Sequence, residues 1–277
     1  MQKTVAIIGC GSMGTAILSG MLHHGYQPEQ IKVTTRTTEK AEALAKKLKV
    51  TAYASEYQPN ANTLAAEGAS LVIIAVKPIN VTTVLDEISS VLDPNALIVS
   101  VAAGITISTM RQHVAQSNAL VRAMPNTPAL VGKGITGISA GQEVSKEQLA
   151  DVEALFSAVG KTMILDEERI DALSTISGSG PAYVFYFIEE FIKTAIDHGF
   201  SEDEAYLLVS ETFLGASTLL TKTQADPAEL RRQVTSPNGT TMKAIAVLEE
   251  GKLHELFLKA TNAALARAKE IAQEMKK

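Results

Sequence analysis

The sequence has 277 residues, of which 46% are hydrophobic and 20% are charged, values that are ordinary for a globular protein of up to two domains. A formal net charge of −5 argues against a nucleic-acid binder, and no apolar run approaches the length of a membrane span, so we expect neither partner. The single cysteine, Cys10, excludes an intramolecular disulfide, and the scattered histidines predict no metal site. The lack of a signal-like stretch predicts a soluble, cytoplasmic protein.

Strand patterns and helix patterns alternate in the first half of the chain. Short apolar runs predict buried strands, and the Ala-, Leu- and Lys-rich runs between them predict helices. This alternation predicts a Rossmann-type, doubly wound parallel sheet, in which ligands bind beyond the carboxyl ends of the strands. The predicted strands are Val5–Ile8, Ile31–Thr35, 71–76, 97–101 and 119–123, and the predicted helices lie within 16–22 and 39–48.

A glycine-rich turn follows the first predicted strand, where residues 9–14 read GCGSMG. The pattern G-x-G-x-x-G between a strand and a helix is typical of dinucleotide-binding sites. Its first glycine permits the tight turn, its second lets the backbone approach a pyrophosphate, and its third lets the helix pack closely on the strand. The amides at the helix N-terminus then face the phosphates, so we predict a dinucleotide here. A glycine-rich turn of purely structural use is the alternative.

The tip of the second predicted strand indicates which dinucleotide is bound. An NAD site usually places Asp or Glu there to bind the ribose 2′-hydroxyl. Residues 34–38 read TTRTT instead, with Arg36 flanked by hydroxyls and no neighbouring acid before Glu39. Because a guanidinium pairs bidentately with a phosphate, we predict NADPH as the cofactor, with NADH as a weaker donor. A solvated surface arginine is the alternative.

Helix patterns replace strand patterns from Pro181 onward, and a domain boundary is predicted near residues 165–166, which gives domains 1–165 and 166–277. Ser201 and Glu204 form a predicted capping box. Several helices are apolar on more than one face, which predicts burial against a second copy of the chain, with a well-packed monomeric bundle as the alternative. The predicted helices lie within 184–196, 205–220, 242–248 and 253–275, with a short helix starting at 226–227.

Six segments carry a family resemblance, namely GCGSMG (9–14), AVKP (75–78), VSVAAGITI (99–107), RAMPNTP (122–128), SGSGPAYVF (177–185) and VTSPNGTT (234–241). Through them the sequence resembles the pyrroline-5-carboxylate reductases of proline biosynthesis, in that family's order and over nearly the whole chain. The most specific signal is SGSGPAY followed later by TSPxGTT. The resemblance implies an NADPH-binding Rossmann domain, a helical dimerisation domain, and homodimers that often assemble further into decamers.

The resemblance also implies roles for single residues. Thr241 matches the hydrogen-bond donor beside the imine nitrogen and is the predicted catalytic residue. Asn62 matches an asparagine that contacts the adenosine portion, and residues 75–78 and 102–103 match the nicotinamide side. The predicted substrate-binding residues are Ser236, Gly239, Thr240 and Thr241. The predicted cofactor-binding residues are Gly9, Cys10, Gly11, Ser12, Met13, Gly14, Thr35, Arg36, Thr37, Asn62, Ala75, Val76, Lys77, Pro78, Ala102, Ala103 and Asn126.

Residues 234–241, which we name the substrate loop, carry four hydroxyl side chains and no charge. A cyclic imine is activated by protonation at its own nitrogen, so hydride transfer needs orientation more than a strong protein acid. If a helix begins at Thr240, its free amides together with Ser236 would bind the substrate carboxylate. A helix-capping loop without a substrate is the alternative. Many family members have Pro-Gly-Gly where this chain has Pro-Asn-Gly, and because asparagine tolerates positive φ, we expect the loop conformation to survive.

Two other functions compete with the reductase hypothesis. A β-hydroxyacid dehydrogenase also joins a Rossmann domain to helices. That class, however, has a glycine-rich interdomain segment with a catalytic lysine shortly after it. Residues 177–188 contain no Lys, His, Asp or Glu, so oxidation of an alcohol would lack its base. The second competitor is a regulator that binds NADPH without turnover, and the intact substrate loop favours an enzyme instead.

Overall fold

The structure, a computed structural model, describes residues 4–274 of the chain. It divides into two compact units. Unit 1 comprises Met1–Ser179 and Ala264–Lys277, and unit 2 comprises Gly180–Ala263. The domain boundary near residues 165–166 stays a prediction.

Unit 1 is built on a single eight-stranded sheet. Its strands are β1 (Val5–Ile8), β2 (Ile31–Thr35), β3 (Thr51–Ala54), β4 (Leu71–Ile74), β5 (Leu97–Ser100), β6 (Ala119–Met124), β7 (Gly134–Ala140) and β8 (Gly160–Ile164). They lie in the order β3-β2-β1-β4-β5-β6-β7-β8. The chain winds outward in one direction from β1 to β3 and in the other from β4 onward, so the switch point of this doubly wound sheet lies between β1 and β4.

The predicted doubly wound parallel sheet is confirmed, and one of its pairs, β6 with β7, is antiparallel. All neighbouring strands pair in parallel except β6 and β7, which are antiparallel, with Val121 opposite Ala140. The connection 125–133 holds only a short 3₁₀ turn. Parallel strands need a crossover of a dozen or more residues, so this short connection requires the reversed direction.

Helices connect most of the strands of unit 1. These helices are α1 (Ser12–His23), α2 (Thr38–Leu48), α3 (Ala61–Ala66), α4 (Val81–Ile88), α5 (Ile107–Arg111), α6 (Lys146–Ser157) and α7 (Ile170–Leu173). A π-helical turn, Ser174–Gly178, follows α7. The predicted helices within 16–22 and 39–48 are confirmed as parts of α1 and α2.

Both faces of the sheet are buried by apolar side chains. Ile7 of β1 belongs to one fully buried cluster, together with Ile17 of α1, whereas Ile8 belongs to a second cluster with Leu85 of α4. Successive residues of a strand point to opposite faces, so a strand covered on both sides must be apolar throughout. This two-sided burial explains the continuous apolar runs in β1, β4 and β5.

Unit 2 is helical. Its helices are α8 (Gly180–Asp197), α9 (Glu202–Thr223), α10 (Pro227–Gln233) and α11 (Thr240–Glu250), followed by α12 (Leu253–Glu274), which contributes residues to both units. The predicted capping box is confirmed at the start of α9, where the Ser201 side chain accepts a hydrogen bond from the Glu204 amide. Rings from different helices pack on each other, with centroids 6.4 Å apart for Phe191 and Phe213. The predicted end of the last helix, residue 275, lies outside the described residues.

The helices of unit 2 leave large apolar side chains uncovered in a single copy of the chain. Phe185 is 65% exposed and Leu207 is 62% exposed. Within residues 4–274, no helix is both long enough and apolar enough to cross a membrane.

Candidate active site

The glycine-rich turn joins β1 to α1 and is held by the tip of β2. The Gly9 amide donates a hydrogen bond to Thr34 Oγ1 (2.9 Å), and the Cys10 amide donates to the Thr34 carbonyl (2.6 Å). Gly9 has φ +86°, and a Cβ placed there would lie 2.5 Å from Val76 Cγ1. A Cβ on Gly11 would meet only the Gly9 carbonyl oxygen, at 3.9 Å. The turn therefore packs tightly on its Gly9 side and leaves open space beside Gly11.

The N-terminus of α1 offers backbone donors beside this turn. α1 begins at Ser12, its N-cap residue is Gly11, and among the described residues no side chain caps it. The first amides of a helix have no partner within the helix and carry its partial positive charge. The amides of residues 12–14 are thus free of partners within the helix, and the binding of a pyrophosphate by Ser12, Met13 and Gly14 stays a prediction.

A cleft of about 910 Å³ brings together three of the predicted cofactor-binding stretches. They converge because β2, β1 and β4 are adjacent in the sheet and all three end at the same edge. Sequence patterns did not single out several other residues of the wall. The predicted residues in the wall are Gly9, Cys10, Gly11, Thr35, Arg36, Thr37, Asn62, Ala75, Val76 and Lys77, and the unpredicted ones include Lys40, Ser55, Asn80, Thr83 and Glu87.

The β2 tip is exposed at Arg36, but the expectation of no neighbouring acid is wrong. Glu56, which follows β3, accepts a hydrogen bond on Oε1 from the Thr38 amide (2.7 Å), and its own amide donates to the Arg36 carbonyl (3.1 Å). The pKa of the Glu56 carboxyl is lowered, chiefly by the hydrogen bond from the Thr38 amide and to a smaller extent by the charge of Arg36. The pairing of β2 with β3 causes this contact between residues far apart in the sequence.

Asn62 lies in the cleft as predicted, and its side chain has a partner there. Its Nδ2 donates a hydrogen bond to Glu87 Oε2 over 2.7 Å. Both residues line the cleft, Asn62 from α3 and Glu87 from α4. This bond uses the amide nitrogen as donor, so the Oδ1 of Asn62 is the side-chain atom that can accept a hydrogen bond from a ligand.

Other predicted cofactor-binding residues lie outside this cleft wall. Asn126 is buried, its Nδ2 donates to the Ser177 carbonyl (3.0 Å), and its Oδ1 accepts from the Ile135 amide (2.9 Å). The Asn126 side chain therefore ties β7 and the π-helical turn to the end of β6. Pro78 opens a 3₁₀ turn, Ala102 is buried and Ala103 is exposed. Their contacts with a cofactor stay predictions.

Cys10 is the one cysteine of the chain and lies in the glycine-rich turn. Burial raises the pKa of its thiol, although a hydrogen bond with Thr15 and the charge of Lys40 act in the opposite direction. Thiolate is the nucleophilic form of cysteine, so the structure gives Cys10 a packing role in the turn.

The substrate loop lies in unit 2, and its last two residues, Thr240 and Thr241, are the first two residues of α11. α11 starts at Thr240 behind the N-cap residue Gly239, and no side-chain cap bond is found there among residues 4–274. Asn238 has φ +58°, which confirms that asparagine adopts the left-handed conformation in this loop. The Gly239 amide donates to the Ser236 carbonyl (3.0 Å), closing a tight turn that brings Ser236 next to the helix start.

The start of α11 leaves its first amides open, and binding of an anion there stays a prediction. Ser236, Thr240 and Thr241 are exposed, so their hydroxyls and the first amides of the helix are accessible together. A Cβ on Gly239 would collide with Ser236 Oγ. The absence of a side chain at Gly239 thus leaves the room in which the Ser236 hydroxyl approaches the helix start. The described part of the chain holds no cluster of three His, Cys, Asp or Glu side chains that could bind a metal ion.

Two family models match the chain. The model for pyrroline-5-carboxylate reductase dimerisation matches residues 167–271, and the model for coenzyme F420-dependent NADP oxidoreductases matches residues 4–104. The second match covers the glycine-rich turn and most of the cleft, and the first covers the substrate loop.

Relatives that match over nearly their full length are also pyrroline-5-carboxylate reductases. A pyrroline-5-carboxylate reductase from Corynebacterium melassecola is 37% identical over 275 residues, which span 98% of this chain and 100% of the relative. A solved pyrroline-5-carboxylate reductase from Coxiella burnetii has a TM-score of 0.90 and 37% identity, covering 98% of this chain and 99% of the other. The pyrroline carboxylate reductase from Plasmodium falciparum, solved with NADP bound, has a TM-score of 0.85 and 26% identity, covering 98% of this chain and 99% of the other.

Proposed function

The chain belongs to the pyrroline-5-carboxylate reductase family, and we propose on this premise that it reduces 1-pyrroline-5-carboxylate to L-proline, the last step of proline biosynthesis. The observation that carries this function is the 37% identity to a reductase of this name over 98% of the chain, because it includes both the glycine-rich turn and the substrate loop. Each of the two reactants then has a candidate site, the cofactor in unit 1 and the imine in unit 2.

The residues of the cleft fit a nicotinamide dinucleotide. Gly11 leaves open the space that a Cβ would fill, and the uncapped start of α1 supplies amides of residues 12–14 for the pyrophosphate. Thr35, Arg36 and Thr37 would hold a ribose 2′-phosphate, which favours NADPH over NADH. When bound, this cofactor supplies the hydride. Asn62 would contact the adenosine portion, and residues 75–78 with 102–103 would hold the nicotinamide side.

In the substrate loop, the residues bind and orient a small anionic imine. The carboxylate of the substrate is held by the Ser236 hydroxyl and the first amides of α11, so that no lysine is needed. Thr241 donates a hydrogen bond to the nitrogen of the neutral imine. Once that nitrogen is protonated, its N–H donates to the Thr241 hydroxyl oxygen, and the nitrogen stays in place. Because the imine is protonated by water near neutral pH, the protein contributes alignment rather than a strong acid.

Turnover with NADPH and pyrroline-5-carboxylate tests this function, and Thr241→Val tests its mechanism. This substitution keeps the side-chain shape and removes the hydroxyl. We expect kcat and kcat/KM to fall together by roughly 10- to 100-fold, while the affinity for NADP⁺ is unchanged. Ser236→Ala should mainly raise KM, because a carboxylate contact is present in the ground state as well as in the transition state.

Thr235→Val is the matched control from the same loop. The Thr235 hydroxyl donates to the Arg231 carbonyl over 2.6 Å and so has a structural partner. We expect a smaller loss of kcat than in Thr241→Val. Wild-type kcat in Thr241→Val would mean that the loop only starts a helix. Turnover of a β-hydroxyacid, or cofactor binding without any turnover, would replace the reductase with one of the two competing functions.

The matched dimerisation domain implies association of copies of this chain, and we propose a homodimer that assembles further into a pentamer of dimers. The exposed apolar side chains of unit 2, such as Phe185 and Leu207, are the surface that a second copy would cover. Light scattering at low micromolar concentration should give at least twice the mass of one chain, and a stable monomer would contradict the assembly. The predicted cytoplasmic location is tested by cell fractionation.

A further inference from the structure

A carboxylate from another strand reaches the start of α2. Glu56 Oε1 accepts a hydrogen bond from the Thr38 amide (2.7 Å), and Thr38 is the first residue of α2. The backbone holds Glu56 in this place, because the Ser55 amide donates to the Thr35 carbonyl (2.9 Å) and the Glu56 amide donates to the Arg36 carbonyl (3.1 Å). The β2–β3 pairing therefore holds the backbone of Glu56, and its exposed carboxylate reaches the start of α2 from the turn that follows β3.

The same place would receive the 2′-phosphate of NADPH. Arg36, Thr37 and Lys40 line the cofactor cleft around the start of α2, and the segment between β2 and α2 is the part of a Rossmann domain that contacts the adenosine ribose. A phosphate monoester carries a charge of about −1.5 to −2 at neutral pH. The Glu56 carboxylate is anionic at neutral pH as well, as any exposed glutamate is, and hydrogen bonds from Thr38 lower its pKa further. Two anions would thus lie next to Arg36 and next to the amides at the start of α2.

We propose that Glu56 is a specificity-determining residue that weakens the selection of NADPH over NADH. It does so in two ways. It repels the 2′-phosphate and occupies the Thr38 amide, which that phosphate could otherwise use. It also accepts a hydrogen bond from the free 2′-hydroxyl of NADH, the function that an acid at the end of the second strand performs in NAD sites. This inference rests on the proposed binding of a nicotinamide cofactor in the cleft. The chain therefore accepts both cofactors, with Arg36 and Glu56 setting the ratio.

Equilibrium titrations with fragments test this role apart from catalysis. The probes are 2′,5′-ADP and 5′-AMP, which differ only in the 2′-phosphate, and their dissociation constants are measured for the wild type and for Glu56→Gln. Glutamine keeps the length of the side chain and a carbonyl acceptor for the Thr38 amide but removes the charge. We expect the preference for 2′,5′-ADP to rise about 2- to 5-fold, the effect of removing one exposed repulsive charge. NADP⁺ and NAD⁺ should show the same change, and high salt should reduce it.

Two control variants separate this effect from others. Glu39→Gln removes an exposed charge from the first turn of the same helix and should change the preference less than twofold. Arg36→Ala should lower the preference in the wild type and in Glu56→Gln. An unchanged or lower preference in Glu56→Gln, or an equal rise in Glu39→Gln, would overturn the role of Glu56. A wild type without any preference for the 2′-phosphate would instead contradict the proposed NADPH selectivity, while the rise in Glu56→Gln would still support Glu56.

Discussion

Alanine substitutions at Gly9 and Gly11 should separate the two functions of the glycine-rich turn, stability and cofactor binding. At Gly9 the backbone has φ +86°, and a Cβ would lie 2.5 Å from Val76 Cγ1, 3.0 Å from the Val76 nitrogen and 3.1 Å from the Ala75 carbonyl carbon. The left-handed conformation costs a non-glycine residue about 1–2 kcal/mol. Overpacking against buried neighbours costs a further amount of about 1–3 kcal/mol.

These two costs predict that Gly9→Ala lowers the free energy of unfolding by about 2–5 kcal/mol, a large share of the roughly 5–15 kcal/mol of a typical domain. Gly11 has φ −75°, and its added Cβ would have its nearest neighbour at 3.9 Å. We therefore expect the free energy of unfolding of Gly11→Ala to lie within about 1 kcal/mol of the wild-type value. That Cβ would instead stand where the backbone approaches the pyrophosphate, so NADP⁺ should bind at least about tenfold more weakly.

Urea unfolding followed by circular dichroism measures the first quantity, and calorimetric titration with NADP⁺ measures the second. The two variants serve as controls for each other, because each adds one methyl group to the same turn. A Gly9→Ala protein as stable as the wild type would refute the assignment of strain to this position. Wild-type affinity for NADP⁺ in Gly11→Ala would refute the placement of the pyrophosphate at this turn.

Two further predictions concern buried polar groups of unit 1. Arg122 is 2% exposed, and its guanidinium donates a hydrogen bond to Asp171 Oδ1. Arg122→Met should leave that carboxylate unpaired and lower the free energy of unfolding, measured with urea, by about 2–4 kcal/mol. A loss below about 0.5 kcal/mol would contradict a structural role of the pair. Burial raises the pKa of the Cys10 thiol. Iodoacetamide at pH 8 should therefore modify Cys10 in the native protein at least about tenfold more slowly than in the urea-unfolded chain, as followed by mass spectrometry. Equal rates would show that the turn opens readily.

Local patterns in the sequence were sufficient for the elements that are buried on both faces. The runs in β1, β2, β4, β5 and β6 contain enough consecutive apolar residues to predict strands, and the capping box predicted the start of α9. The family resemblance was also readable, because its motifs lie within short stretches. These features depend on neighbours in the chain, which is why the sequence alone determined them.

The strands that were missed lack this local contrast. β3 is exposed at Thr51 and only partly buried over its next two residues, and β8 is mostly exposed. Both lie at the edges of the sheet, where one side or one end faces solvent and the apolar pattern fades. β7 contains two glycines and no long apolar run, and its reversed direction depends on a short connection rather than on its own residues.

The tertiary structure decided which polar groups meet. Glu56 approaches the start of α2, Asn62 bonds to Glu87, and the Asn126 amide is occupied by Ser177 and Ile135. Each contact joins segments that are separated in sequence, and the order of the strands and the paths of their loops create it. Hydrophobic periodicity determines which face of an element is buried, but it carries no information on which side chain of another element arrives beside a given residue. The sequence by itself therefore determined the fold class and the glycine-rich turn, whereas only the tertiary structure placed an acid beside Arg36.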